Sequence, residues 1–375
     1  MDIPAKLNDL SCGGIYVHVP YCKSKCAYCA FYSRTQMPSD EYVHAVLNEF
    51  RLRQSELVAP VRTIYFGGGT PSLLNGSQLR LLAENLSRRN DISEFTIECN
   101  PDDVTADKAE TWIDAGINRV SMGVQSLSDI CLKHIGRRHD ASTAEKSYNI
   151  LRAAGLSNIS LDLIMGLPGE TIESWAESVD RITTMRPEHI SAYLLSFEEG
   201  TPLYRQLEAG KVSEAPDDVI EKMYNALTEK LSAAGYLHYE ISNYALPGYQ
   251  SQHNSGYWKF RPYLGLGPAA HSYDGKIRRY NPDDTEYYIH NLTEGHTVCE
   301  TDFETTENII NDYIMVRLRT TGGLDINCLP QPYRKYVMDN AATLDPAMIN
   351  FDGSTLSIKP EYFLQADSVM RRMMI

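Results

Sequence analysis

Three cysteines stand close together directly after a strand-like run: Cys22, Cys26 and Cys29, in the spacing C-x3-C-x2-C. A 4Fe–4S cluster is commonly held by four cysteine thiolates, so three thiolates would leave one iron open to another ligand. The alternatives are a zinc site and cysteines that form disulfides. Zinc sites usually join a C-x-x-C pair to a second Cys or His pair at a defined distance, and no such pair follows here. The triplet therefore predicts an iron–sulfur cluster with a reactive, open iron.

The remaining five cysteines are scattered and are expected to be small buried side chains: Cys12, Cys99, Cys131, Cys299 and Cys328. Cys12 is near enough in sequence to be considered as a spare ligand, although two glycines and a strand separate it from the triplet. Eight cysteines in 375 residues are too sparse for a disulfide scaffold. A reducing, cytoplasmic setting is therefore expected.

The overall charge narrows the choice of partners. The chain carries 35 basic and 49 acidic side chains, a net charge of −14, whereas nucleic-acid binding requires a basic surface. The N-terminus has neither the basic start nor the apolar core of a signal peptide. No apolar run approaches the ~18 residues of a membrane span. We therefore expect no nucleic-acid partner and no membrane span, while a peripheral membrane contact stays open.

Short β-branched runs alternate with amphipathic helical stretches from residue 15 to about residue 200. The predicted strands are Ile15–Val19, Thr63–Phe66, Phe95–Cys99, Arg119–Val124, Ile159–Met165 and His189–Leu195. The predicted helices are Asp40–Leu57, Ser77–Arg88, Ala106–Ala115, Ser142–Ala154 and Thr171–Met185, with N-caps at Ser39 or Asp40, Ser77, Thr105, Ser142 and Thr171. Six βα units in series predict an α/β fold with a parallel sheet, closed as a barrel or open.

The unusual residues follow the ends of these strands. They are the cysteine loop, Gly67-Gly-Gly-Thr-Pro71, Glu98-Cys-Asn-Pro, Gly123-Val-Gln-Ser, and Asp162 leading into Gly166-Leu-Pro-Gly169. In βα barrels the functional residues gather at the carboxyl ends of the strands, so these groups are expected to converge. The glycine run can approach a small ligand closely, but it lacks the Lys-Ser/Thr ending of a phosphate loop.

After residue 200 the alternation fades. Residues 216–234 predict a helix, and residues 236–274 are rich in Tyr, Gly and His. Beyond Glu304, helices are followed by Met348–Ile358, in which Asp352-Gly353 between alternating apolar residues predicts a hairpin. The sequence thus predicts a large domain over 1–275 and a small, winged-helix-like α+β domain over 276–375.

The motifs taken together resemble the radical S-adenosylmethionine superfamily and, within it, the anaerobic coproporphyrinogen-III oxidase family. The matching stretches are Ile15-Tyr-Val-His-Val-Pro-Tyr-Cys, Gly67-Gly-Gly-Thr-Pro, Ile97-Glu-Cys-Asn-Pro, Ser121-Met-Gly-Val-Gln-Ser, Ile135-Gly-Arg, Asp162-Leu-Ile-Met-Gly-Leu-Pro and Gly265-Leu-Gly. They cover most of residues 15–275. The resemblance implies a partial, open βα barrel of six βα units.

The resemblance also implies cofactors. Cys22, Cys26 and Cys29 would bind the 4Fe–4S cluster, and S-adenosylmethionine would chelate the open iron, to be cleaved to a 5′-deoxyadenosyl radical after one-electron reduction by a donor. The positions implied for the cofactor cavity are Tyr16, Gly68 and Glu98, with Tyr28, Gly69, Thr70, Gln125, Arg137 and Asp162 for a second cofactor molecule or the cavity lining. Taken singly, Glu98, Asp162 and Arg137 also admit purely structural roles.

Two departures separate the chain from the oxidases. Phe31 stands where those enzymes have a further cysteine, and only about fourteen residues precede the first strand, where the oxidases have a long extension. Both features fit the heme chaperone subgroup of the family. The stretch His253-Asn-Ser-Gly-Tyr257-Trp258 is also typical of that subgroup.

This stretch suggests a heme site. An imidazole can ligate heme iron, so His253 is a candidate axial ligand, and Trp258 could cover the macrocycle. The alternative is a loop anchored by buried aromatic residues around a hydrogen-bonded histidine. His18 and His271 are further candidates.

The sequence therefore predicts a heme chaperone that carries a 4Fe–4S cluster with S-adenosylmethionine at its open iron and passes heme to acceptor proteins. The enzymatic alternative is an oxygen-independent coproporphyrinogen III oxidase, which oxidatively decarboxylates propionates, or another radical S-adenosylmethionine enzyme. The machinery for cofactor cleavage is retained in the sequence, while oxidase activity is expected to be absent.

Overall fold

The computed structural model describes residues 7–88 and 90–375. Six parallel strands form its centre, and each lies within two residues of its predicted bounds. They are β1 (Gly13–Val19), β2 (Val61–Gly68), β3 (Glu94–Cys99), β4 (Arg119–Gln125), β5 (Ile159–Met165) and β6 (His189–Leu194). Each strand pairs in parallel with the next one along the chain. The predicted series of βα units is confirmed.

Helices connect these strands and cover the sheet. They are α1 (Asp40–Arg53), α2 (Gly76–Ser87), α3 (Ala106–Asp114), α4 (Asp129–His134), α5 (Ala141–Ala153) and α6 (Ile172–Met185). The caps Ser39, Thr105 and Thr171 each accept a bond from a backbone N–H of the first turn, as predicted.

Two predicted caps are wrong. Helix α2 is capped by Asn75 and not by Ser77, because the Asn75 side chain accepts from two backbone N–H groups and completes a capping box with Gln78. Helix α5 is capped by Asp140 and not by Ser142, because the Asp140 carboxylate accepts from the N–H of Thr143. In both cases an Asn or Asp side chain two residues upstream of the serine accepts from the first turn of the helix.

The sheet is open rather than closed, as the resemblance implied. Six further strands extend it: β7 (Leu237–Glu240), β8 (Asn243–Ala245), β9 (Tyr263–Leu266), β10 (His271–Tyr273), β11 (Arg278–Tyr280) and β12 (Glu300–Asp302). The strand order is β12-β11-β10-β9-β1-β2-β3-β4-β5-β6-β8-β7. The connecting helices are α7 (Pro202–Glu208), α8 (Asp217–Ala233), α9 (Gln252–Trp258) and α10 (Thr285–Thr293).

A small α+β module follows, as predicted. Its helices are α11 (Thr306–Leu318), α12 (Tyr333–Ala341) and α13 (Ala366–Met373), and its strands are β13 (Leu324–Asp325), β14 (Ile349–Phe351) and β15 (Thr355–Ile358). The strands form an antiparallel sheet in the order β13-β15-β14. The predicted hairpin is present, with Gly353 at a φ of 98° in its turn. The main sheet continues through β11 and β12, beyond residue 275, and the division there stays a prediction.

The inner face of the central strands is polar. On β5 the side chains of Leu161 and Leu163 are fully buried in the hydrophobic core, whereas Ser160 and Asp162, which alternate with them, point the other way and bond to each other. Ser121 of β4 donates to the same carboxylate. The strands thus carry their chemistry on the face away from the helices, toward the open interior.

Candidate metal and cofactor site

The cysteine triplet lies in the loop between β1 and α1. All three thiols are free and half-buried. The loop is held by backbone hydrogen bonds at both ends of the triplet: the N–H of Cys22 donates to Arg34 at 2.9 Å, and the N–H of Ala27 donates to Ile135 at 3.0 Å. The thiols are therefore presented by backbone that is fixed to the rest of the molecule.

Two side chains donate toward the cysteine sulfurs. The Thr70 hydroxyl lies 3.5 Å from Cys22 Sγ, and Arg137 Nη1 lies 3.4 Å from Cys26 Sγ. Hydrogen bonds to the cysteine sulfurs are a feature of iron–sulfur sites that helps to set the reduction potential of the cluster. No three His, Cys, Asp or Glu side chains within residues 7–88 and 90–375 are grouped to hold a single metal ion. A 4Fe–4S cluster places each thiolate on a different iron, so the donor set is suited to a cluster.

A cavity of about 630 Å³ opens beside the triplet, and we call it the cluster cavity. This volume is typical of cofactor sites. Its walls bring together most of the predicted site residues, which come from the cysteine loop, from four strands or the loops after them, and from the loop after α4: Cys22, Cys26, Tyr28, Cys29, Gly68, Gly69, Thr70, Glu98, Gln125, Arg137 and Asp162. The expected convergence at the carboxyl ends of the strands is what the structure shows.

Glu98 is the buried acid of this cavity. Its Oε1 accepts from the Tyr65 hydroxyl at 2.7 Å, and its Oε2 accepts from the N–H of Gly68 at 3.2 Å. Burial raises the pKa of Glu98 to about 7, against the stabilising effect of these two bonds. The carboxyl group is therefore poised between its charged and neutral forms near neutral pH.

Asp162 and Arg137 are two further charged residues of the cluster cavity. Burial also raises the pKa of Asp162, whose carboxylate accepts from Ser121 and Ser160. Arg137 Nη2 donates to the carbonyl of Gly123 at 2.5 Å, while its Nε is buried without a partner among the described residues. A buried donor of this kind has bonding capacity left for a ligand.

The glycines fit a close approach of backbone to neighbouring groups. Gly68 has a φ of 105°, and a Cβ there would lie 2.7 Å from the His18 ring. A Cβ on Gly69 would lie 2.7 Å from the carbonyl oxygen of Tyr21. A side chain at either position would displace β1 or the cysteine loop, so glycine is required at the strand end.

Sequence reasoning missed Asn100, which joins the two residues that contact the cysteine sulfurs. Its Nδ2 donates to Thr70 Oγ1 at 3.2 Å, and its Oδ1 accepts from Arg137 Nη2 at 2.6 Å. Its position in the Glu98-Cys-Asn-Pro group could have indicated this role, because the other strand-end groups also contribute polar residues to the walls of the cavity.

Three predicted residues lie elsewhere. Tyr16 and Trp258 line a second cavity of about 450 Å³, which we call the aromatic pocket. Its walls are Tyr16, His18, Phe31, Tyr32, Tyr257, Trp258, Phe260, Arg261, Tyr263, Ala269, His271, Tyr273, Arg278 and Val316. Phe31 lines both cavities and is 69% exposed. The two cavities are therefore neighbours that share one side chain.

His253 is buried behind the aromatic pocket. One ring nitrogen shares a hydrogen bond with Thr63 at 2.8 Å, and the other shares one with the Tyr257 hydroxyl at 2.8 Å. Burial lowers the pKa of His253 to about 3, so the ring is neutral. His253 as an iron ligand stays a prediction, and that role would require the ring to leave one of these bonds.

Hydrogen bonds to a side chain of the sheet fix the backbone at the start of helix α9. Glu94 on β3 accepts from the N–H groups of Gln252 and His253, both at 2.9 Å. At the other end of the helix, the guanidinium of Arg319 lies 4.2 Å from the centre of the Trp258 ring, and Arg317 donates to the Trp258 carbonyl. The predicted aromatic stretch is thus fixed between the sheet and the C-terminal module.

Among the described residues no helix is both long enough and apolar enough to cross a membrane.

The family comparison agrees with this geometry. The radical SAM superfamily model matches residues 16–182. Among solved structures, the coproporphyrinogen III oxidase HemN from Escherichia coli, a radical SAM enzyme, superposes with a TM-score of 0.82 over 96% of this chain and 90% of that chain. At 21% identity this likeness establishes the fold.

Curated relatives are more similar in sequence. The heme chaperone HemW of Bacillus subtilis (strain 168) is 36% identical over 326 residues, which cover 85% of this chain and 86% of the relative. HemW of Mycobacterium tuberculosis (strain ATCC 25618 / H37Rv) is 33% identical over 372 residues, covering 96% and 94%. HemW of Escherichia coli (strain K12) is 38% identical over 278 residues, covering 71% and 72%. The chain therefore belongs to the HemW heme chaperone family of the radical SAM superfamily.

Proposed function

We propose that this protein binds heme and transfers it to acceptor proteins, and that it carries a 4Fe–4S cluster with S-adenosylmethionine at its open iron. The observation that carries the proposal is a second cavity, aromatic and separate from the cluster cavity, in a chain whose relatives are named heme chaperones. A flat macrocycle suits a pocket walled by rings, whereas the cluster cavity has the polar walls that a charged nucleoside cofactor needs.

Cys22, Cys26 and Cys29 are the proposed cluster ligands. When bound, the cluster supplies a route for one electron to the S-adenosylmethionine held on its open iron. Glu98 would accept hydrogen bonds from the amino-acid end of the cofactor, while the Tyr65 hydroxyl, which donates to it, holds the carboxyl group in place. Asp162, Gln125 and the rings of Tyr28 and Phe31 also line this cavity.

Phe31 favours the chaperone over the oxidase. At this position the side chain offers no sulfur, and its ring is part of the wall of the aromatic pocket. The pocket also reaches the surface, because the side chains of Phe31 and His271 are exposed. A bound heme is therefore accessible to an acceptor protein, as delivery requires.

The remaining partners are part of the same proposal. An electron donor would approach the cluster at the cysteine loop, where Lys25 is exposed and would favour an acidic partner. All eight cysteines are free in the structure, which supports a reducing compartment, and we propose the cytoplasm.

One pair of assays tests the function. The protein is reconstituted anaerobically with iron and sulfide, titrated with hemin, and then mixed with apomyoglobin as the probe acceptor. In parallel it is incubated with coproporphyrinogen III, S-adenosylmethionine and a reductant. We expect a Soret band that moves to the myoglobin position after mixing, and no vinyl-containing porphyrin.

The control is Cys26→Ser, which should lose the charge-transfer absorbance of the cluster and keep heme binding, because Cys26 lines the cluster cavity and not the aromatic pocket. Wild-type protein that converts coproporphyrinogen and ignores hemin would overturn the chaperone function.

A further inference from the structure

The aromatic pocket contains buried donors without partners. Among the described residues, Trp258 Nε1 and Arg278 Nε are both buried, and neither donates a hydrogen bond. Buried polar groups in folded proteins are nearly always paired. Both side chains line the aromatic pocket, so a ligand with acceptor groups would complete their bonding there.

The histidines near the pocket differ in whether a ring nitrogen is free to bind a metal. His18 Nε2 donates to the Tyr32 carbonyl at 3.0 Å, and its Nδ1 bonds the Tyr16 hydroxyl at 3.2 Å. His253 is likewise bonded at both nitrogens. The His271 ring is exposed and has no hydrogen bond to another described side chain or backbone group. His271 therefore has a nitrogen lone pair to offer to a metal.

The strand register places the charged and ligating groups on one face. His271 pairs with Tyr280, and Tyr273 pairs with Arg278, across the antiparallel strands β10 and β11. Residues two apart on a strand share a face, so the imidazole and the guanidinium project into the same pocket. Arg278 Nη2 bonds Asp312 at 2.5 Å, and its Nε makes no hydrogen bond but lies 3.6 Å from Glu304 Oε1.

We propose that the aromatic pocket is the heme site, that His271 is the axial ligand of the heme iron, and that Arg278 binds a heme propionate. This inference rests on the heme function proposed above and deepens it by naming the site. Imidazole is a common axial ligand, and a guanidinium pairs well with a carboxylate. Trp258 covers the macrocycle, while His253 positions Tyr257 from behind without touching iron.

The test is a hemin titration of cluster-loaded protein, followed by the Soret band and the dissociation constant. His271→Ala should shift the Soret band and weaken binding by about tenfold or more, which corresponds to ~1.4 kcal/mol. Added imidazole should restore the wild-type band in this variant, because the free base enters the vacated position. Arg278→Ala should weaken hemin more than it weakens the dimethyl ester of hemin, which lacks the propionate charges.

The matched controls are His290→Ala, an exposed histidine on α10, and His253→Ala. His290→Ala should bind hemin as the wild type does. His253→Ala should keep the wild-type Soret position without added imidazole, because its iron ligand is still present. An unchanged Soret band and affinity in His271→Ala would overturn the site while the heme function stands. A wild type without hemin binding would overturn both.

Discussion

Two opposing effects act on the pKa of Glu98. Burial favours the neutral acid, whereas the Tyr65 hydroxyl and the Gly68 N–H favour the carboxylate, and the resulting pKa is about 7. Below that pH the residue increasingly carries a proton and loses part of its strength as an acceptor. S-adenosylmethionine is a sulfonium cation with an amine donor, so the ionised form of Glu98 is the one that binds it best.

We therefore expect the affinity for S-adenosylmethionine to rise between pH 6 and pH 8. Glu98→Gln should weaken binding by about tenfold, since a bond to a charged group contributes ~1.5–3 kcal/mol, and should flatten the pH dependence. Calorimetry on cluster-loaded protein at both pH values measures this, with iron content as the check on the cluster.

Glu198→Gln is the matched control, because Glu198 lines the same cavity but is exposed to solvent. It should bind with nearly the wild-type affinity and the wild-type pH dependence. An equal slope in Glu98→Gln and the wild type would assign Glu98 to a structural role.

Single site residues could be predicted where they belong to a motif in or directly after a predicted strand. Thr70 follows β2, Glu98 lies next to the end of β3 and Asp162 lies within β5, and all three line the cluster cavity. His253 illustrates the limit, since its neighbours in sequence suggested a ligand while one of its bonding partners, Thr63, lies 190 residues away. Long-range partners of this kind decide which lone pairs are free, and local sequence does not contain them.

At the scale of elements, one turn depends on a buried charge. The turn between β9 and β10 carries the N–H of Gly267, which donates to Glu49 Oε2 at 2.9 Å. Glu49 is fully buried on α1 and accepts from Arg53 Nη1 at 2.6 Å. Arg53 Nη2 in turn donates to the Ser272 hydroxyl at 2.9 Å, beside His271. Helix α1 thus fixes the strand that presents the exposed histidine.

Glu49→Ala should lower the free energy of unfolding by about 3 kcal/mol, because it removes the buried carboxylate that accepts from Arg53, Asn281 and Tyr288. Urea denaturation of the wild type and the variant measures the difference. Because the turn also positions His271, hemin affinity should fall in the same variant.

The control is Lys222→Ala, which removes a Lys222–Asp218 pair of the same helical spacing on the exposed face of α8. Its free energy of unfolding should stay nearly unchanged, since solvent screens such pairs. Equal destabilisation by the two substitutions would mean that the Glu49–Arg53 pair has no special part in the fold.

The long elements could be predicted and the short ones could not. Helices α1 and α6 have apolar periodicity and a polar cap, and their predicted starts lie within one residue of the observed ones. Strands β10, β11 and β12 have three residues each, which is too few for alternation to be read. Their pairing comes from the neighbouring strands of the sheet, so only the structure reveals it.

At the scale of the whole molecule, the aromatic pocket joins two parts of the chain. The sheet strands β9 to β11 supply Tyr263, His271, Tyr273 and Arg278 to its wall, and Val316 on α11 supplies the side that faces the C-terminal module. Arg278 on β11 bonds Asp312 on the same helix. The module therefore acts as one wall of a site whose other residues lie in the main sheet.

Val316→Trp should fill the pocket and weaken hemin binding by about tenfold or more, as expected when a side chain occupies the volume of a ligand. Cluster content and S-adenosylmethionine affinity should be unchanged, because Val316 does not line the cluster cavity. A hemin titration with parallel iron analysis measures both.

Met315→Trp makes the same change one residue earlier, where the side chain is 37% exposed. It should leave hemin affinity intact. Similar losses in both variants would indicate a general disturbance of α11, and no loss in Val316→Trp would place hemin outside the aromatic pocket.

The family and the open sheet could be inferred from sequence because the motifs are spaced along six regular βα units. The aromatic pocket could not be inferred from sequence, since its walls come from residues as far apart as Tyr16, Trp258 and Val316. No local pattern joins these positions. They meet only because β9 pairs in parallel with β1 and α11 packs beside α9.

The shared side chain of the two cavities has a thermodynamic consequence. If a ligand in one cavity moves Phe31, it changes the free energy of binding in the other. Such coupling is reciprocal: the factor by which S-adenosylmethionine changes heme affinity equals the factor by which heme changes S-adenosylmethionine affinity. In that case one aromatic ring, 69% exposed, would link the loading of the cofactor to the affinity for heme.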